Sequence, residues 1–575
     1  MKKISLKDFL KPYSLQMYIA IIVGLIGTVC NIVLPEGVNR IANAIEAGLK
    51  TNIDLNYVVQ CAVGAGILIV ASMITNIFSG RMMAGIGHGV GKDIREAVNN
   101  KINIVKISNL DAMKSGDILA RTVSDTQAVE SMVANNLGSV ITNGLQFVGT
   151  LVMMAMVNAK FMGMVLLTIF IGMVLNLVIT QKSVGVIKKQ KVSVANINEE
   201  INETLKGFLV IKAFNAEKEV IDIFRNNNEA LKSSTLKASF FSSIMSPLML
   251  FISNLSYVVV CVYGAYLAMK PGTNVTVGTI ASFVLYSSLF ASAAGGVFGS
   301  LGNIVNAKVS MARVKEFLEL DDADNEGKAT IQNAKGEVVF EHVRFGYVKE
   351  REIIHDFSAT IKPGMKVAIV GPTGAGKSTL INLLMRFYEV GSGSIKIDGV
   401  PINQIKREDL HNILGMVLQE TFTFTGSIRD NIIYSTPNVS ETMLQNVIDK
   451  CGLDYLISTL PQGLDTEISD QSSVSAGQKQ LITIARVMVK NPDILILDEA
   501  TSSVDTITEK HIQEALDELV KGKTSFVIAH RLSTIKNADM IFVLKDGDIV
   551  EVGNHEELLK KNGMYAELYN SQFAD

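Results

Sequence analysis

Residues 366–379 read Lys366-Val367-Ala368-Ile369-Val370-Gly371-Pro372-Thr373-Gly374-Ala375-Gly376-Lys377-Ser378-Thr379. The apolar start of this stretch is typical of a buried strand, and the apolar residues after Ser378 indicate a helix. The glycines between them let the backbone wrap around a phosphate, which accepts hydrogen bonds from successive N–H groups and from the helix N-terminus. Lys377 is expected to contact the β- and γ-phosphates, and the Ser378 hydroxyl to bind Mg²⁺. The stretch therefore predicts a nucleotide site on an α/β domain.

A second apolar strand supplies the acidic partner that such a loop needs. Residues 494–499 read Ile-Leu-Ile-Leu-Asp-Glu. Asp498 is suited to hold Mg²⁺, and Glu499 is suited to act as general base or to position the attacking water. An Asp-Glu pair after an apolar strand is by itself more often a solvated strand end. The phosphate loop upstream favours the functional interpretation.

Two further side chains are candidates for contacts with the nucleotide. His530 follows the apolar run at 524–529 and is suited to sense the γ-phosphate. Tyr347 ends the sequence Phe-Gly-Tyr and is suited to stack on adenine. Taken alone, a histidine after a strand is more often structural, and an aromatic residue at a strand end more often packs in the core.

The composition of the 575 residues excludes several classes of protein. Hydrophobic residues make up 48%, charged residues 19%, and the mean hydropathy is +0.30, so the chain is too apolar for an ordinary soluble protein and too charged to lie wholly in a membrane. The net charge of -3 offers no basic excess for phosphate backbones, so no nucleic-acid partner is expected. Four scattered cysteines argue against a disulfide framework or a cysteine metal site.

Six charge-free apolar runs in the first half are long enough to cross a hydrocarbon layer about 30 Å thick, which takes about 20 helical residues. They are Pro12–Pro35, Leu55–Gly80, Ser131–Ala159, Phe161–Gln181, Ala238–Met269 and Pro271–Ala307. The first is too long for a removable signal peptide and is followed by further spans. The first half is therefore predicted as an all-α domain with six transmembrane helices.

Basic residues predict the orientation of these spans. Lys and Arg are concentrated in the N-terminal segment and in the long connections at 81–130 and 182–237, which places both termini and both connections in the cytosol. Apolar residues at three- and four-residue spacing predict helices in these connections, with reversals near Asn109–Gly116 and Phe214–Glu217.

The second half changes character after a charged, nonperiodic stretch. Short β-branched runs then alternate with helical stretches, which predicts a largely parallel sheet. The predicted domains are a transmembrane domain at 1–320, a linker at 321–336 and a nucleotide-binding domain at 337–575. The predicted fold class is thus a multidomain membrane protein in which an all-α six-helix domain precedes an α/β P-loop domain.

Neutral polar side chains are scattered through the six spans, and no charged residue interrupts them. Such residues can mark a substrate path, or they can form the interhelical hydrogen bonds of any helix bundle. They are Asn31, Asn143, Gln146, Asn176, Asn254, Tyr257, Tyr263 and Tyr286. The lack of charge favours a neutral or weakly charged amphipathic cargo, because an unpaired ion is costly to bury.

The motifs and their order resemble the ATP-binding cassette (ABC) exporters over nearly the whole chain, in the half-transporter form with one membrane domain and one cassette. The resemblance implies binding of ATP by Tyr347, Gly371, Pro372, Thr373, Gly374, Ala375, Gly376, Lys377, Ser378, Thr379 and Gln419. It implies a Mg²⁺ site at Ser378, Gln419 and Asp498, a catalytic role for Glu499 and His530, and a D-loop at Asp505.

The resemblance also implies that a second half-transporter completes the ATP site. The signature residues of one chain, here Ser475, Ala476, Gly477 and Gln478, close over the ATP of the other chain. The family's usual signature is Leu-Ser-Gly-Gly-Gln, whereas this chain has Val474 and Ala476, and the glycine-rich segment upstream is replaced by Thr-Glu-Ile-Ser-Asp-Gln-Ser at 466–472. In asymmetric pairs of the family, one chain keeps the catalytic residues and carries an altered signature, so a heterodimer is favoured over a homodimer.

The function that the resemblance implies is ATP-hydrolysis-driven export of an amphipathic or apolar small molecule, lipid or peptide by alternating access. The chain is then a multi-pass protein of the bacterial cell membrane, embedded in the lipid bilayer, with ATP and Mg²⁺ as cofactors. One alternative is an importer with the exporter fold that takes up a metal chelate or a vitamin. Another is a nucleotide-gated channel or sensor, against which the intact Glu499 and His530 argue, because a gate needs no ATP turnover.

Overall fold

Long helices dominate the chain before residue 320. The computed structural model describes residues 4–49, 52–270, 275–323, 327–331, 334–348, 351–419, 421–469, 474–498, 506–528 and 535–573. The first helices are α1 Leu6–Leu10, α2 Ser14–Gly48, α3 Leu55–Ile104, α4 Ile107–Asp111, α5 Ser115–Ala120, α6 Thr126–Ser131, α7 Gly138–Lys206, α8 Phe208–Phe214, α9 Glu217–Ala268 and α10 Val277–Leu318. Two π-helical turns, Arg121–Asp125 and Met132–Leu137, flank α6, and a 3₁₀ turn, Lys11–Tyr13, follows α1.

The longest helices exceed the thickness of a membrane. The 50 residues of α3 extend about 75 Å at 1.5 Å per residue. A hydrocarbon layer is only about 30 Å thick, so a large part of α3 must continue beyond it. This length agrees with the prediction of helical extensions, and the structure places reversals after α4 and after α8, where they were expected.

Within the described residues, four helical stretches are long and apolar enough to cross a membrane: Leu6–Gly48, Leu55–Ile104, Ser115–Gly172 and Val277–Leu318. They contain the first, second and third predicted runs and the sixth from Val277 onwards. The fourth predicted run continues along α7, and the fifth lies in α9, whose end at Asn254–Ala268 is a shorter apolar helix. The chain is a multi-pass membrane protein.

Asn158 separates the third and fourth predicted spans within α7. Its backbone is extended, with φ -166° and ψ 106°. Its side-chain Oδ1 accepts hydrogen bonds from the N–H groups of Lys160 at 3.1 Å and Phe161 at 3.2 Å. Asparagine is a preferred residue at a helix start for this reason, so the local sequence both ends one helix and caps the next.

Polar side chains in the membrane helices bind neighbouring helices. The amide of Gln146 donates to the carbonyl of Leu289 at 3.1 Å, and Ser256 lies 2.9 Å from Ser287 between hydroxyl oxygens. These bonds support the structural interpretation for Gln146. Tyr286 is fully buried, and its hydroxyl has no hydrogen-bond partner among the described residues.

The chain divides into two compact units. One comprises Met1–Asn103 and Ser115–Leu320, and the other comprises Ile104–Lys114 and Asp321–Asp575. Helix α4 therefore packs with the second unit, although it lies between α3 and α5 in the chain. The N–H of Ala323 donates to the carbonyl of Ile104 at 2.7 Å, which ties α4's segment to the start of the second unit.

The second unit is an α/β domain. Its strands are β1 Val338–Phe345, β2 Ile354–Ile361, β3 Lys366–Val370, β4 Ser392–Ile397, β5 Val400–Pro401, β6 Leu414–Val417, β7 Gly426–Ser427, β8 Glu467–Ile468, β9 Ile494–Asp498, β10 Thr524–Ile528, β11 Met540–Lys545 and β12 Asp548–Gly553. Its helices beyond α4 are α11 Lys377–Leu384, α12 Arg407–Ile413, α13 Ile428–Ile433, α14 Glu441–Lys450, α15 Asp454–Thr459, α16 Ala476–Lys490, α17 Thr506–Val520, α18 His555–Lys561 and α19 Met564–Phe573.

The larger sheet has the strand order β12-β11-β3-β10-β9-β6, parallel except for β12. Alternate residues of β3 enter different cores: Val367 and Ile369 pack towards the antiparallel sheet β2-β1-β4-β5, whereas Ala368 and Val370 pack with α16 and α17. Strands buried on both faces need apolar residues at every position, which explains the continuous apolar runs.

The stretch predicted as a linker is bound to the second unit where it is described. Ala329 exchanges main-chain hydrogen bonds with Gln404 and Lys406, at 2.9 and 3.0 Å. The N–H of Lys335 donates to the carboxylate of Asp398 at 2.7 Å, as does that of Glu337, the first residue after the predicted linker, at 2.9 Å. These bonds satisfy backbone donors that a free linker would leave to water.

Candidate functional site

The phosphate loop connects β3 to α11 at the carboxyl edge of the parallel sheet. Gly376 caps α11 with φ 98°, a conformation that disfavours residues with a Cβ atom. A Cβ atom on Gly371 would lie 2.3 Å from the carbonyl oxygen of Leu544, so this position tolerates only glycine. Pro372, Thr373, Gly374 and Ser378 are exposed or half-buried, so the loop presents an open surface for a ligand.

Lys377 is held over this loop. Its ammonium donates hydrogen bonds to the carbonyl oxygens of Gly371 at 2.7 Å and Pro372 at 3.0 Å. Burial lowers the pKa of Lys377, and the negative charge of Asp498 opposes that shift. A partly desolvated ammonium beside the loop is suited to bind phosphate oxygens, since its charge is poorly screened there.

Asp498 and Gln419 belong to the same edge of the sheet. Asp498 is half-buried at the end of β9, and Gln419 lies just beyond the end of β6, which pairs with β9 through Val417 and Leu497. Parallel strands bring their carboxyl ends to one edge, where α/β proteins bind ligands. The hydroxyl of Ser378, the carboxylate of Asp498 and the amide oxygen of Gln419 are oxygen donors of the kind that Mg²⁺ prefers, so this donor set fits the ion.

Three predicted functional residues lie outside the described residues. Glu499 directly follows Asp498, and His530 lies two positions beyond the end of β10. Asp505 precedes α17. Their roles stay predictions, although the strands that lead to Glu499 and His530 are neighbours in the sheet, with Ile528 paired to Asp498.

Tyr347 lies beside α11 in an aromatic cluster. Its hydroxyl donates to the Oγ1 of Thr379 at 3.4 Å, and its ring meets the ring of Phe345 edge to face at 5.1 Å. The side chain is 46% exposed, so much of it is available for stacking. The cluster orients Tyr347 next to the phosphate loop, where a nucleotide base would be expected.

Tyr388 adjoins the candidate site, and the sequence does not single it out. Its ring packs edge to face against Tyr347, with centroids 4.9 Å apart, and its hydroxyl donates to the carboxylate of Asp111 in α4. Burial and this hydrogen bond raise the pKa of Tyr388, so the hydroxyl remains a donor at neutral pH. Nothing in the sequence around Phe387-Tyr388 marks this role; only the predicted reversal at Asn109–Gly116 pointed to the region of Asp111.

The signature residues begin α16. Ser475 caps the helix: its Oγ accepts from the N–H of Gln478 at 3.3 Å, and its own N–H donates to Oε1 of Gln478 at 2.9 Å. Ser475 and Ala476 are exposed at this N-terminus, whereas Gly477 is buried. Val474 is 9% exposed and packs in the core. Its difference from leucine is therefore a change of core volume and leaves the exposed Ser475 and Ala476 unaltered.

Arg486 is a second residue that the sequence did not reveal. It donates to the carbonyl of Asn431 at 2.8 Å and to that of Phe422 at 3.3 Å, and it lies over the rings of Phe424 and Tyr434. Arg486 belongs to α16, so it ties the segment after Gln419 to the helix that carries the signature. Residues 470–473, in the altered segment upstream, lie outside the described residues.

Both parts of the chain match known protein families. The profile of the ABC transporter transmembrane region matches residues 17–293, and the ABC transporter profile matches residues 354–502. A bacterial Atm1-family ABC exporter, solved with ATP bound, has a TM-score of 0.77 and 25% identity, and the similarity covers 98% of this chain and 99% of that one.

Curated relatives extend the similarity along the chain. A fatty acid ABC transporter ATP-binding/permease protein of Mycobacterium tuberculosis is 39% identical over 83% of this chain and 75% of its own length. An uncharacterized ABC transporter ATP-binding protein of Bacillus subtilis is 33% identical over 99% and 94%. A multidrug resistance ABC transporter ATP-binding and permease protein of Lactococcus lactis is 30% identical over 99% and 96%. The chain belongs to the ABC transporters of the exporter type, ATPases coupled to transport, and joins one transmembrane domain to one ATP-binding cassette.

Proposed function

We propose that this chain is one half of an exporter that uses ATP to move an amphipathic or apolar small molecule, lipid or peptide across the cell membrane. The contact from Tyr347 through Tyr388 to Asp111 carries the proposal. It joins the predicted adenine site to the connection between the second and third predicted spans. A movement on the adenine side of the site is thereby passed to that connection, as alternating access requires.

In the proposed ATP site, each residue has a separate task. Lys377 and the N–H groups of the loop bind the phosphates, and Tyr347 stacks on adenine. Ser378, Asp498 and Gln419 hold Mg²⁺, which when bound neutralises charge on the β- and γ-phosphates. Glu499 takes a proton from the attacking water, and His530 senses the γ-phosphate.

A second chain completes the site in this proposal. One cassette covers one side of ATP, and the N-terminus of a partner's α16, with its capping serine and exposed N–H groups, supplies donors for the other side. We favour a partner that is a related but different half-transporter, because of Ala476 and the glycine-free stretch at 469–473.

The cargo class follows from the membrane helices. No charged residue interrupts the predicted spans, and the described polar groups there include bonds between helices. A neutral or weakly charged amphipathic molecule avoids the cost of burying an unpaired ion. The names of the relatives, a fatty acid transporter and a multidrug transporter, support the same class.

A transport assay tests the proposal against its alternatives. The chain and its partner are reconstituted in liposomes with the cassettes outside, and uptake of a fluorescent neutral amphiphile is measured. Export predicts accumulation inside that requires hydrolysable ATP and is lost in the Glu499→Gln variant. Flux down the gradient without hydrolysis would identify a channel, and ATP-driven movement out of the liposomes would identify an importer.

In this proposal, both termini and the cassette lie in the cytosol of a bacterial cell. The concentration of Lys and Arg in the N-terminal segment and in the long connections supports this orientation. Labelling of single introduced cysteines by a membrane-impermeant reagent in intact cells tests it, in a variant whose four natural cysteines are replaced by serine. A cysteine at Asn52 should react and a cysteine at Lys188 should not, and the reverse pattern would contradict the orientation.

A further inference from the structure

A groove lies within the first unit, between the N-terminal segment and α10. Its volume is about 450 Å³, within the range of about 300–1,000 Å³ that is usual for small-molecule sites. One wall is formed by the segment around Leu6, the opposite wall by α10, and Met132 of a π-helical turn also lines it. The groove belongs neither to the ATP site nor to the predicted reversals.

The α10 wall is a single stripe of the helix. Ile304, Lys308, Met311 and Lys315 are spaced by four, three and four residues, which places them on one helical face. The stripe is about 16 Å long at 1.5 Å per residue. Lys308 is the first charged residue after the apolar run that ends at Ala307. The groove therefore crosses from the apolar part of α10 to its basic part.

The other lining residues make the groove apolar between its basic groups. Met132 and Met311 are both 7% exposed, and Leu6 is half-buried opposite them. The N–H of Ile4 donates to Oε1 of Glu319 at 3.3 Å, which ties the N-terminal segment to the residue after α10. The position of this wall is thus set by a hydrogen bond as well as by packing.

The basic groups of the groove are incompletely neutralised. Among the described residues, no carboxylate lies within ion-pairing distance of Lys308, whose side chain is exposed. Lys315 has Glu319 at 3.7 Å on its own helix. An occupant that is apolar at one end and negative at the other would match both parts of the groove. A soluble anion would leave the apolar walls uncovered, and a neutral chain would leave Lys308 unpaired.

We propose that the groove binds an anionic phospholipid, with one acyl chain against Leu6, Met132 and Ile304 and the phosphate near Lys308 and Lys315. Basic residues at the boundary of transmembrane helices attract anionic lipid head groups for the same physical reason. With the proposed orientation, this lipid belongs to the cytosolic leaflet. Bound there, it links the N-terminal segment to α10 independently of ATP.

A fluorescence measurement tests this site without relying on transport. The natural chain contains no tryptophan, so Ala312→Trp, at the groove, is the sole tryptophan emitter in the full-length protein. Quenching by phosphatidylglycerol with brominated acyl chains is compared with quenching by brominated phosphatidylcholine in nanodiscs. Leu6→Trp reports from the opposite wall if Ala312→Trp fails to fold. Val70→Trp, on an exposed face of α3, is the control reporter for bulk lipid.

The expected preference for the anionic lipid is about fivefold per lysine, the equivalent of about 1 kcal/mol for a lysine near a membrane surface. Lys308→Gln and Lys315→Gln should each reduce the preference about fivefold. Lys182→Gln, which removes another exposed lysine directly after an apolar run, should leave the lipid preference unchanged.

Equal quenching by both lipids at residue 312, or a preference that survives both substitutions, would overturn the proposal. Quenching by a brominated free fatty acid, but not by the brominated phospholipids, would also overturn it. So would the absence of any quenching at residue 312, which would mean that another chain covers the groove.

Discussion

At the scale of single residues, Lys377 and Glu499 should separate ATP binding from ATP hydrolysis. Glu499→Gln keeps the shape of the side chain but removes the base that polarises water, so turnover should fall at least about a hundredfold while ATP binding persists. Lys377→Ala removes the ammonium over the loop and should weaken binding itself. Turnover and the binding of a fluorescent ATP analogue are measured on the same preparations. Near-normal hydrolysis by Glu499→Gln would show that its assigned role is wrong.

Tyr388 should affect coupling more than ATP binding. Tyr388→Phe keeps the aromatic contact with Tyr347 but removes the hydrogen bond to Asp111. That bond is worth about 1 kcal/mol, which changes the population of the state in which Tyr388 contacts Asp111 about fivefold. Substrate-stimulated ATPase should fall about that much, with little change in the apparent affinity for ATP. Tyr455→Phe, which alters an 80% exposed tyrosine, is the control. A change in ATP affinity without a change in stimulation would contradict this role.

The residues of the candidate ATP site, and those that pack around it, differ in how far the sequence reveals them. Gly371 and Lys377 belong to one continuous motif, so their neighbourhood in the fold follows from chain order. Asp498 is indicated by the apolar strand that it ends and by the need of a phosphate loop for an acidic partner. Tyr388 and Arg486 act through long-range packing, against Asp111 and Asn431, and a single sequence carries no signal for such contacts.

At the scale of elements, an ionic cluster joins α10 to α5 and the π-helical turn that follows it. Arg313 lies 2.6 Å from Asp117 and 3.3 Å from Asp125, between charged nitrogen and oxygen atoms. Arg121 pairs with Asp117 at 3.0 Å and with Glu316 at 3.3 Å. Arg121 and Asp125 are buried, at 8% and 6% exposure, so their charges depend on these partners.

Arg313→Ala should destabilise the first unit by about 1–3 kcal/mol. This is less than the roughly 3–5 kcal/mol for breaking a fully buried pair, because the Arg313 side chain is 41% exposed. The midpoint of thermal unfolding in detergent checks the effect. Arg225→Ala breaks a pair that is exposed on both sides and should change little. Equal midpoints for the two variants would mean that the cluster contributes nothing to stability.

The apolar runs predict where the membrane helices lie, but they do not predict where these helices begin and end. The runs predicted the membrane helices, but α2 continues through Pro35 to Gly48, and α9 begins at Glu217, well before its apolar part. A helix ends where its backbone loses partners, not where its side chains become polar, so hydropathy underestimates long helices. Neighbouring helices can compensate a proline in a membrane helix, as the buried Pro35 illustrates.

At the scale of the whole molecule, the order of domains follows from composition, but the division of the chain does not. Residues 104–114 belong to the second unit through contacts with Ala323, Asp321 and Tyr388, far away in sequence. The inclusion of this short segment in the second unit depends on tertiary contacts that no local pattern encodes.

The chain alone should be a poor ATPase, and a related half-transporter should activate it. Val474 packs in the core, so only Ala476 and residues 469–473 can alter the exposed part of the signature region. If these residues weaken the signature, two copies of this chain form two poor sites, whereas a partner with the usual signature forms one good site with Lys377 and Glu499. Turnover by the chain alone should then be at least about tenfold below that of the pair, because donors that stabilise the transition state are missing or misplaced.

Substitutions on each side of the interface distinguish this arrangement from a homodimer. In the pair, Glu499→Gln in this chain should abolish most turnover, and the equivalent change in the partner should have little effect. Ala476 keeps its backbone N–H at the start of α16, so a homodimer remains the competing arrangement. In a homodimer, the purified chain hydrolyses ATP at both sites without any partner. Robust, substrate-stimulated ATPase and transport by the chain alone would therefore exclude the heterodimer.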